Sequence, residues 1–423
     1  MSDPSSKAAG LPAAPPMTQS GPQSSVHPPV PAVPPGLDHC PFWPTYGAPT
    51  VEFVRGEGTQ LWDTNDKRYL DFLTGLAVVG LGHAHPEVAE ALSRQASTLL
   101  HTSNLFATAP GAELAVTLDR LLGGGGQVFL CNSGAEANEA AIKLARRWGG
   151  RGKHVVVSAY GSFHGRTLAT LHATGQPAKH EAFQPLPEGF RHAPWNDLDA
   201  LRNAVDPSVA AILLESVQGE GGVNPADTAY MQGARALCDE RGVLLMIDEV
   251  QTGLGRTGRW FGFEHYDVQP DVVTMAKALG NGVPIGACWA RREIAAAMSP
   301  GDHGSTFGGQ PLASAAANAV LSVMEREDVP TRARERGARL KSELERLPQV
   351  QEVRGLGLLV AAELVPGIDA KQAASAALDA GLIVNAVTPT ALRFAPPLLV
   401  NDDEIAEAVA LLAVVLQNIG EAT

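Results

Sequence analysis

Residues 243–250, VLLMIDEV, and residues 271–277, DVVTMAK, decide the fold. Each is a continuous apolar run that ends on a charged residue, Asp248 in the first and Lys277 in the second. Runs of this kind read as strands buried on both faces of a parallel sheet, and open α/β sheets form their clefts at the carboxyl ends of such strands. Asp248 and Lys277 are therefore expected at one cleft. Outward from this pair, QVFLC (127–131), HVVVSAY (154–160) and VAAILLESV (209–217) repeat the pattern, and helical stretches such as GAEANEAAIKLARRW (134–148) alternate with them. That alternation predicts an α/β fold with a mostly parallel central sheet.

Before this region lie an extended stretch, VEFVRGEGTQLWD (51–63), and a helix-like one, EVAEALSRQASTLLH (87–101). After about residue 320 come a helix, a strand EVRGLGLLVAAELV (352–365), another helix and a final helix from Asp403. The expected organisation is a disordered Pro/Ala/Ser-rich tail at 1–40, a large domain at 96–319, and a smaller α/β domain built from both ends, 41–95 and 320–423. The chain of 423 residues, 45% of them hydrophobic, is long enough for such a division.

A formal net charge of −13 gives no electrostatic footprint for nucleic acid or an anionic membrane, which favours a small-molecule ligand. The cysteines Cys40, Cys131, Cys238 and Cys288 form neither a CxxC pair nor a Cys/His cluster, so neither a metal site nor a disulfide framework is expected. No apolar run approaches the ~20 residues needed to span a bilayer. The start of the chain lacks a secretory pattern and has no arginine before Arg55, so the expected location is the cytoplasm.

GLGRTG (253–258) matches GxGxxG formally, but its glycines trail the strand and no helix opens after it, so a dinucleotide site is rejected. GGGG (123–126) lacks a following GK[ST] and reads as a plain turn. A better anion site is CNSGAEANEA, where a strand breaks at Asn132-Ser133-Gly134 and a helix begins with unpaired amides; an ordinary capped helix is the alternative. For Lys277 two readings stand: a lysine paired with a carboxylate, or one that condenses with an aldehyde cofactor. Asp248 favours the second, because a carboxylate against a pyridine nitrogen favours its protonated form, the state in which pyridoxal phosphate withdraws electrons. Phe163, in SFHGRT, could stack on the ring, and Gln251 could reach its hydroxyl.

LWDTNDKRYLDF, LGHAHPEV, NSGAEANEAAIKLA, FHGRTLATL, VQGEGGV, IDEVQTGLGRTG, AKALGNGVPIGA, HGSTFGGQPLASA and RFAPPL together resemble the class III, or ornithine-type, aminotransferases of the fold-type I pyridoxal-phosphate enzymes. NSGAEANEA with FHGRT, LGHAHP and RFAPPL most resembles acetylornithine aminotransferases and their lysine-pathway relatives. The resemblance implies that 96–319 is the cofactor-binding domain, that Lys277 is the covalent lysine, Asp248 the pyridine-nitrogen partner and Phe163 the ring stacker. It implies a phosphate seat at Ser133, Gly134 and Ala135, with Thr306 reaching it from the other subunit of a homodimer, and it counts Gln251 among the cofactor contacts. It assigns Ser305 and Arg166 to the donor substrate, Arg393 to the α-carboxylate of 2-oxoglutarate or glutamate, and Glu220 to a switchable ion pair with Arg393. Without the resemblance, Arg393 could equally be one half of an ordinary salt bridge.

The implied reaction moves the δ-amino group of N2-acetyl-L-ornithine to 2-oxoglutarate. Alternatives are a lysine-pathway ω-aminotransferase acting on an aminoadipate-type or succinyl-diaminopimelate substrate, an ornithine aminotransferase, and an aminomutase using the same cofactor. Two departures bear on the donor: Val78-Val79 stands where relatives commonly carry an Asn-containing AVN string, and Ser216 follows Glu215 where relatives carry proline.

Overall fold

The structure, a computed structural model, describes residues 43, 45–46 and 49–422. The 1–40 tail and Cys40 lie outside the described residues. The chain divides into two compact units, residues 1–52 and 53–423. In the first, Trp43 and Tyr46 are exposed and the Thr45 amide donates to the Trp43 carbonyl (2.8 Å).

The second unit is organised around a seven-stranded sheet in the order Gly126–Cys131, Gly286–Arg291, Val272–Met275, Leu244–Asp248, Val209–Glu215, Val155–Ala159, Phe190–Ala193. Six strands run the same way; Gly286–Arg291 is antiparallel to both its neighbours. The sheet is α/β and mostly parallel, as the alternation requires. The apolar runs are buried along their whole length in Val209–Glu215, Leu244–Asp248 and Val272–Met275, because helices cover both faces and no side of these strands meets water. Asp248 stands level with Glu215 and Thr274 on the flanking strands, at the carboxyl edge of the sheet.

Two four-stranded sheets accompany it. Phe53–Glu57, Gln60–Asp63 and Arg68–Asp71 form one with Leu382–Ile383, which pairs parallel with Arg68–Asp71 and so joins the early and late parts of this unit. The other contains Val350–Leu356, Leu359–Leu364, Ala391–Phe394 and Asn385–Ala386. The stretch EVRGLGLLVAAELV is therefore a hairpin, not a single strand. Gly357 makes its turn at φ +53°, packed so closely that a Cβ there would lie 2.4 Å from the Thr257 carbonyl carbon. Similarly, the single helix expected after residue 320 is two, Pro311–Arg326 and Val329–Leu344.

GLGRTG has a structural task in this chain. Arg256 is fully buried, and its Nη1 donates to the carbonyls of Leu358 (3.1 Å) and Pro396 (2.6 Å), while the Leu358 amide returns a bond to the Arg256 carbonyl (2.9 Å). The loop after Asp248 is thus stitched to the turn of the hairpin and to the segment just beyond Arg393.

Candidate active site

A cavity of about 430 Å³ opens at the carboxyl edge of the large sheet, in the usual size range of a small-molecule site. Lys277, Asp248, Phe163, Arg166, Glu220, Gln251 and the Ser133-Gly134-Ala135 turn all line it. Nine of the twelve expected site residues thus meet around one space. Arg393 is held at its edge through Glu220 and Gln251, whereas Ser305 and Thr306 lie outside it.

The turn at Ser133 opens the helix Gly134–Gly149. Ser133 Oγ accepts the Glu136 amide (3.2 Å), and Glu136 Oε2 accepts the Asn132 amide (2.5 Å) and Nδ2 (2.9 Å), a reciprocal cap. The first-turn amides at Gly134 and Ala135 have no intrahelical acceptor and point at the dipole's positive end, the arrangement that binds an anion. Val250, on the loop after Asp248, packs so closely that a Cβ at Gly134 would meet its Cγ1 at 2.7 Å.

Asp248 is 4% exposed and its orientation is fixed by neighbours. Oδ2 accepts from Asn138 Nδ2 (2.7 Å) and His164 Nδ1 (2.8 Å), and Oδ1 accepts the Val250 amide (3.0 Å). Asn138 is itself aligned, since its Oδ1 accepts from Thr274 Oγ1 (2.7 Å) and its Nδ2 also donates to the His164 carbonyl (2.8 Å). Sequence reasoning missed Asn138 and His164. The available signal was a buried-face asparagine one turn into the helix after Ser133, and a histidine directly beside Phe163.

Lys277 begins a short turn after the strand Val272–Met275 and sits at φ +48°, a left-handed conformation unusual for a residue with a side chain. Its pKa is lowered to about 8, first by burial of the amine; Glu220 pulls it upward and Arg393 pushes it down. Glu215 also lines the cavity and was not anticipated as a site residue. Burial, then the charge of Asp248, lifts its carboxyl well above the usual range, against the bond from the Phe163 amide (3.2 Å).

At the substrate side, Arg393 is 1% exposed. Nη1 donates to Glu220 Oε1 at 2.6 Å and to Gln251 Oε1 at 3.4 Å, Nε donates to Asn385 Oδ1 at 3.1 Å, and Nη2 is buried with no partner among the described residues. Burial raises the Glu220 pKa, but the guanidinium of Arg393, with Lys277 and Lys179 behind it, outweighs this and holds the carboxyl below its ordinary value. Arg166 is exposed, with its guanidinium carbon 5.4 Å from the Phe163 ring centre. Val78 lines the cavity as an apolar side chain. Ser216 donates to Glu249 Oε1 (2.6 Å) beneath the site, and Glu249 also accepts from Thr252 Oγ1 and the amides of Gly262 and Phe263.

Ser305 Oγ accepts from Asn132 Nδ2 (3.1 Å) and the Gly308 amide (2.9 Å). Thr306 and Phe307 are exposed beside it. Among the described residues no cluster of acids, histidines or cysteines could hold a metal ion, and no helix is long and apolar enough to cross a membrane.

An amine at a strand end, a fixed carboxylate across the same cavity, an aromatic face and a helix N-terminus for an anion define the site of a pyridoxal-phosphate-dependent aminotransferase, and these residues fit that cofactor. The aminotransferase class-III family profile matches residues 44–416. The chain belongs to the class III aminotransferases, whose cofactor is pyridoxal 5′-phosphate. It is 47% identical over 368 residues to the acetylornithine aminotransferase of Methanocaldococcus jannaschii, covering 85% of this chain and 92% of that one. Over 377 residues it is 50% identical to the acetylornithine aminotransferase of Gloeobacter violaceus, covering 87% and 94%. Among solved structures it resembles the ornithine aminotransferase of Toxoplasma gondii, with a TM-score of 0.86 and 35% identity over 90% of this chain and 93% of that one.

Proposed function

We propose that this chain moves the δ-amino group of N2-acetyl-L-ornithine to 2-oxoglutarate, yielding N-acetylglutamate semialdehyde and L-glutamate, in the cytoplasm. The observation that carries this reading is the Arg393–Glu220 pair at 2.6 Å, whose Glu220 lines the same cavity as Arg166, in a chain about half identical to acetylornithine aminotransferases over most of its length. A bimolecular amino exchange needs a clamp for each substrate's carboxylate, and an arginine fork is the bidentate partner for one.

When bound, pyridoxal phosphate supplies the electron sink that stabilises negative charge on the reacting carbon. Lys277 Nζ, its ammonium form disfavoured by burial, would hold the cofactor, and as a free amine would take a proton from the substrate carbon as general base and deliver it as acid on the cofactor side rather than back to that carbon. Asp248, held by Asn138 and His164, keeps the pyridine nitrogen protonated. Phe163 would stack on the ring, Gln251 would reach its hydroxyl, and the Ser133-Gly134-Ala135 turn would seat the phosphate. Glu220 pairs with Arg393 while the donor's ω-amine end, which carries no carboxylate, approaches, and releases it when the α-carboxylate of 2-oxoglutarate arrives.

A homodimer completes this proposal. Leu105, Phe106 and Phe307 are exposed near Thr306, an apolar surface that a second copy would cover while bringing its own Thr306 to the phosphate and Ser305 to the substrate. The division at residues 95 and 320 into a large cofactor-binding domain and a smaller one from both chain ends belongs to the same reading.

The test compares kcat/KM for N-acetylornithine, ornithine, succinyl-diaminopimelate and an aminoadipate-type amine with 2-oxoglutarate as common acceptor. N-acetylornithine is expected to be the best donor, with one glutamate formed per aldehyde. A better value for any other donor reassigns the substrate, and turnover with no acceptor present would mark an aminomutase.

A further inference from the structure

We propose that Lys179 is a specificity-determining residue that selects donors whose α-amine is acylated over donors whose α-amine is free. The proposal deepens the reading above and rests on it.

Lys179 closes the short turn Pro177–Lys179 that follows the helix Leu168–Ala173. Its amide donates to the Gln176 carbonyl (2.9 Å), and its Nζ donates to Gln176 Oε1. Gln176 in turn donates from Nε2 to the carbonyl of Ser162 (3.0 Å), the residue before Phe163. One glutamine therefore holds the lysine against the segment that carries the aromatic ring. Lys179 Nζ lies 5.4 Å from the Phe163 ring centre, as does the guanidinium carbon of Arg166. Two cations share one aromatic ring of the cavity wall, Arg166 lining the cavity and Lys179 standing beside that ring, and neither makes a salt bridge among the described residues.

Two unneutralised cations side by side repel one another, so the arrangement is costly unless a ligand carries acceptors to both. Burial and the neighbouring Arg166 lower the Lys179 pKa, the expected mark of that cost, while Glu220 acts in the opposite sense. An N-acyl amino acid presents a carboxylate and an adjacent amide carbonyl. Arg166 takes the carboxylate in a bidentate grip, and the Lys179 ammonium, a single rotatable point charge, takes the carbonyl. A free amino acid offers the same carboxylate but sets an ammonium where Lys179 needs an acceptor. The same side chain that attracts the acylated donor thereby repels the free one, which is how one residue creates selectivity rather than general affinity.

The experiment compares wild type, Lys179→Met and Lys179→Arg as holoenzymes, measuring kcat and KM for N-acetylornithine and for ornithine at saturating 2-oxoglutarate. Lys179→Met is expected to lose about tenfold in kcat/KM for N-acetylornithine, mostly through KM, while ornithine stays level or improves. Lys179→Arg should restore most of the preference. The KM for 2-oxoglutarate, set at Arg393, and the visible absorbance of bound cofactor report whether the variants keep their fold. A wild type without preference for N-acetylornithine overturns both the substrate reading and this role. A wild-type preference that survives in Lys179→Met, or equal losses for both donors, overturns the role of Lys179 alone.

Discussion

The two walls of the cavity, assigned in the proposed function to the cofactor and to the substrates, follow opposite plans. On the cofactor side the groups that set orientation are tied to one another: Asp248 accepts three bonds, Asn138 is aligned by Thr274, and the Ser133 turn closes a reciprocal cap, with only His164 Nε2 buried without a partner among the described residues of this network. On the substrate side charge is held short of full pairing. Among the described residues Arg166 is exposed without a carboxylate, and Arg393 keeps Nη2 unpartnered although its Nη1 is bound to Glu220. The contrast separates two requirements: an electron-withdrawing cofactor needs a fixed field, whereas two different substrates passing through one cavity need groups that can change partners.

Substitutions test whether the two walls are as different as they look. Lys277→Ala should have the largest effect, a fall in kcat of about ten-thousand-fold or more with cofactor still bound, because both attachment and proton transfer are lost. Near-normal steady-state turnover would break the mechanism. Asp248→Asn should cost roughly a thousandfold in both half-reactions, since each passes through the same fixed field. On the other wall, Arg393→Ala is expected to slow the 2-oxoglutarate half-reaction about a hundredfold in single-turnover measurements and the N-acetylornithine half-reaction far less. Equal losses would abolish the proposed division between the walls. Gly134→Ala should weaken cofactor binding about tenfold, as titration followed by absorbance would report, because its Cβ collides with Val250.

The smallest effect concerns pH. Lys277 in the folded protein titrates near 8, against an ordinary value of 10.5, so between these values the unfolded chain holds a proton that the folded one has released. Stability of the cofactor-free protein should therefore rise from about pH 8 to about pH 10.5, and denaturation midpoints of Lys277→Met should lack that rise.

Much of the cofactor wall was legible because its signals are local. A charged residue ending an apolar run and a glycine opening a periodic helix each declare themselves within a few positions, which sufficed for Lys277, Asp248 and Gly134. The groups that orient them were not legible. Asn138 and His164 reach Asp248 from far along the chain, and only the packing of helix, loop and strand brings them together. The antiparallel strand Gly286–Arg291 was equally obscure, since an apolar run carries no mark of its direction. The hairpin at Gly357 was hidden because its apolar residues continue through the turn, which the Arg256 loop covers instead of water. Lys179 gives no signal at all in sequence; a lysine after proline and alanine reads as an ordinary surface turn.

Arg256 bears on the span of the site. By donating from its side chain to the carbonyls of Leu358 and Pro396, it fixes the loop that leaves Asp248 to the segment that leaves Arg393. In the proposed assignment, the span between the ring-nitrogen partner Asp248 and the α-carboxylate clamp Arg393 is therefore held by a residue that touches neither cofactor nor substrate. Side chains that line the cavity can change without altering that span.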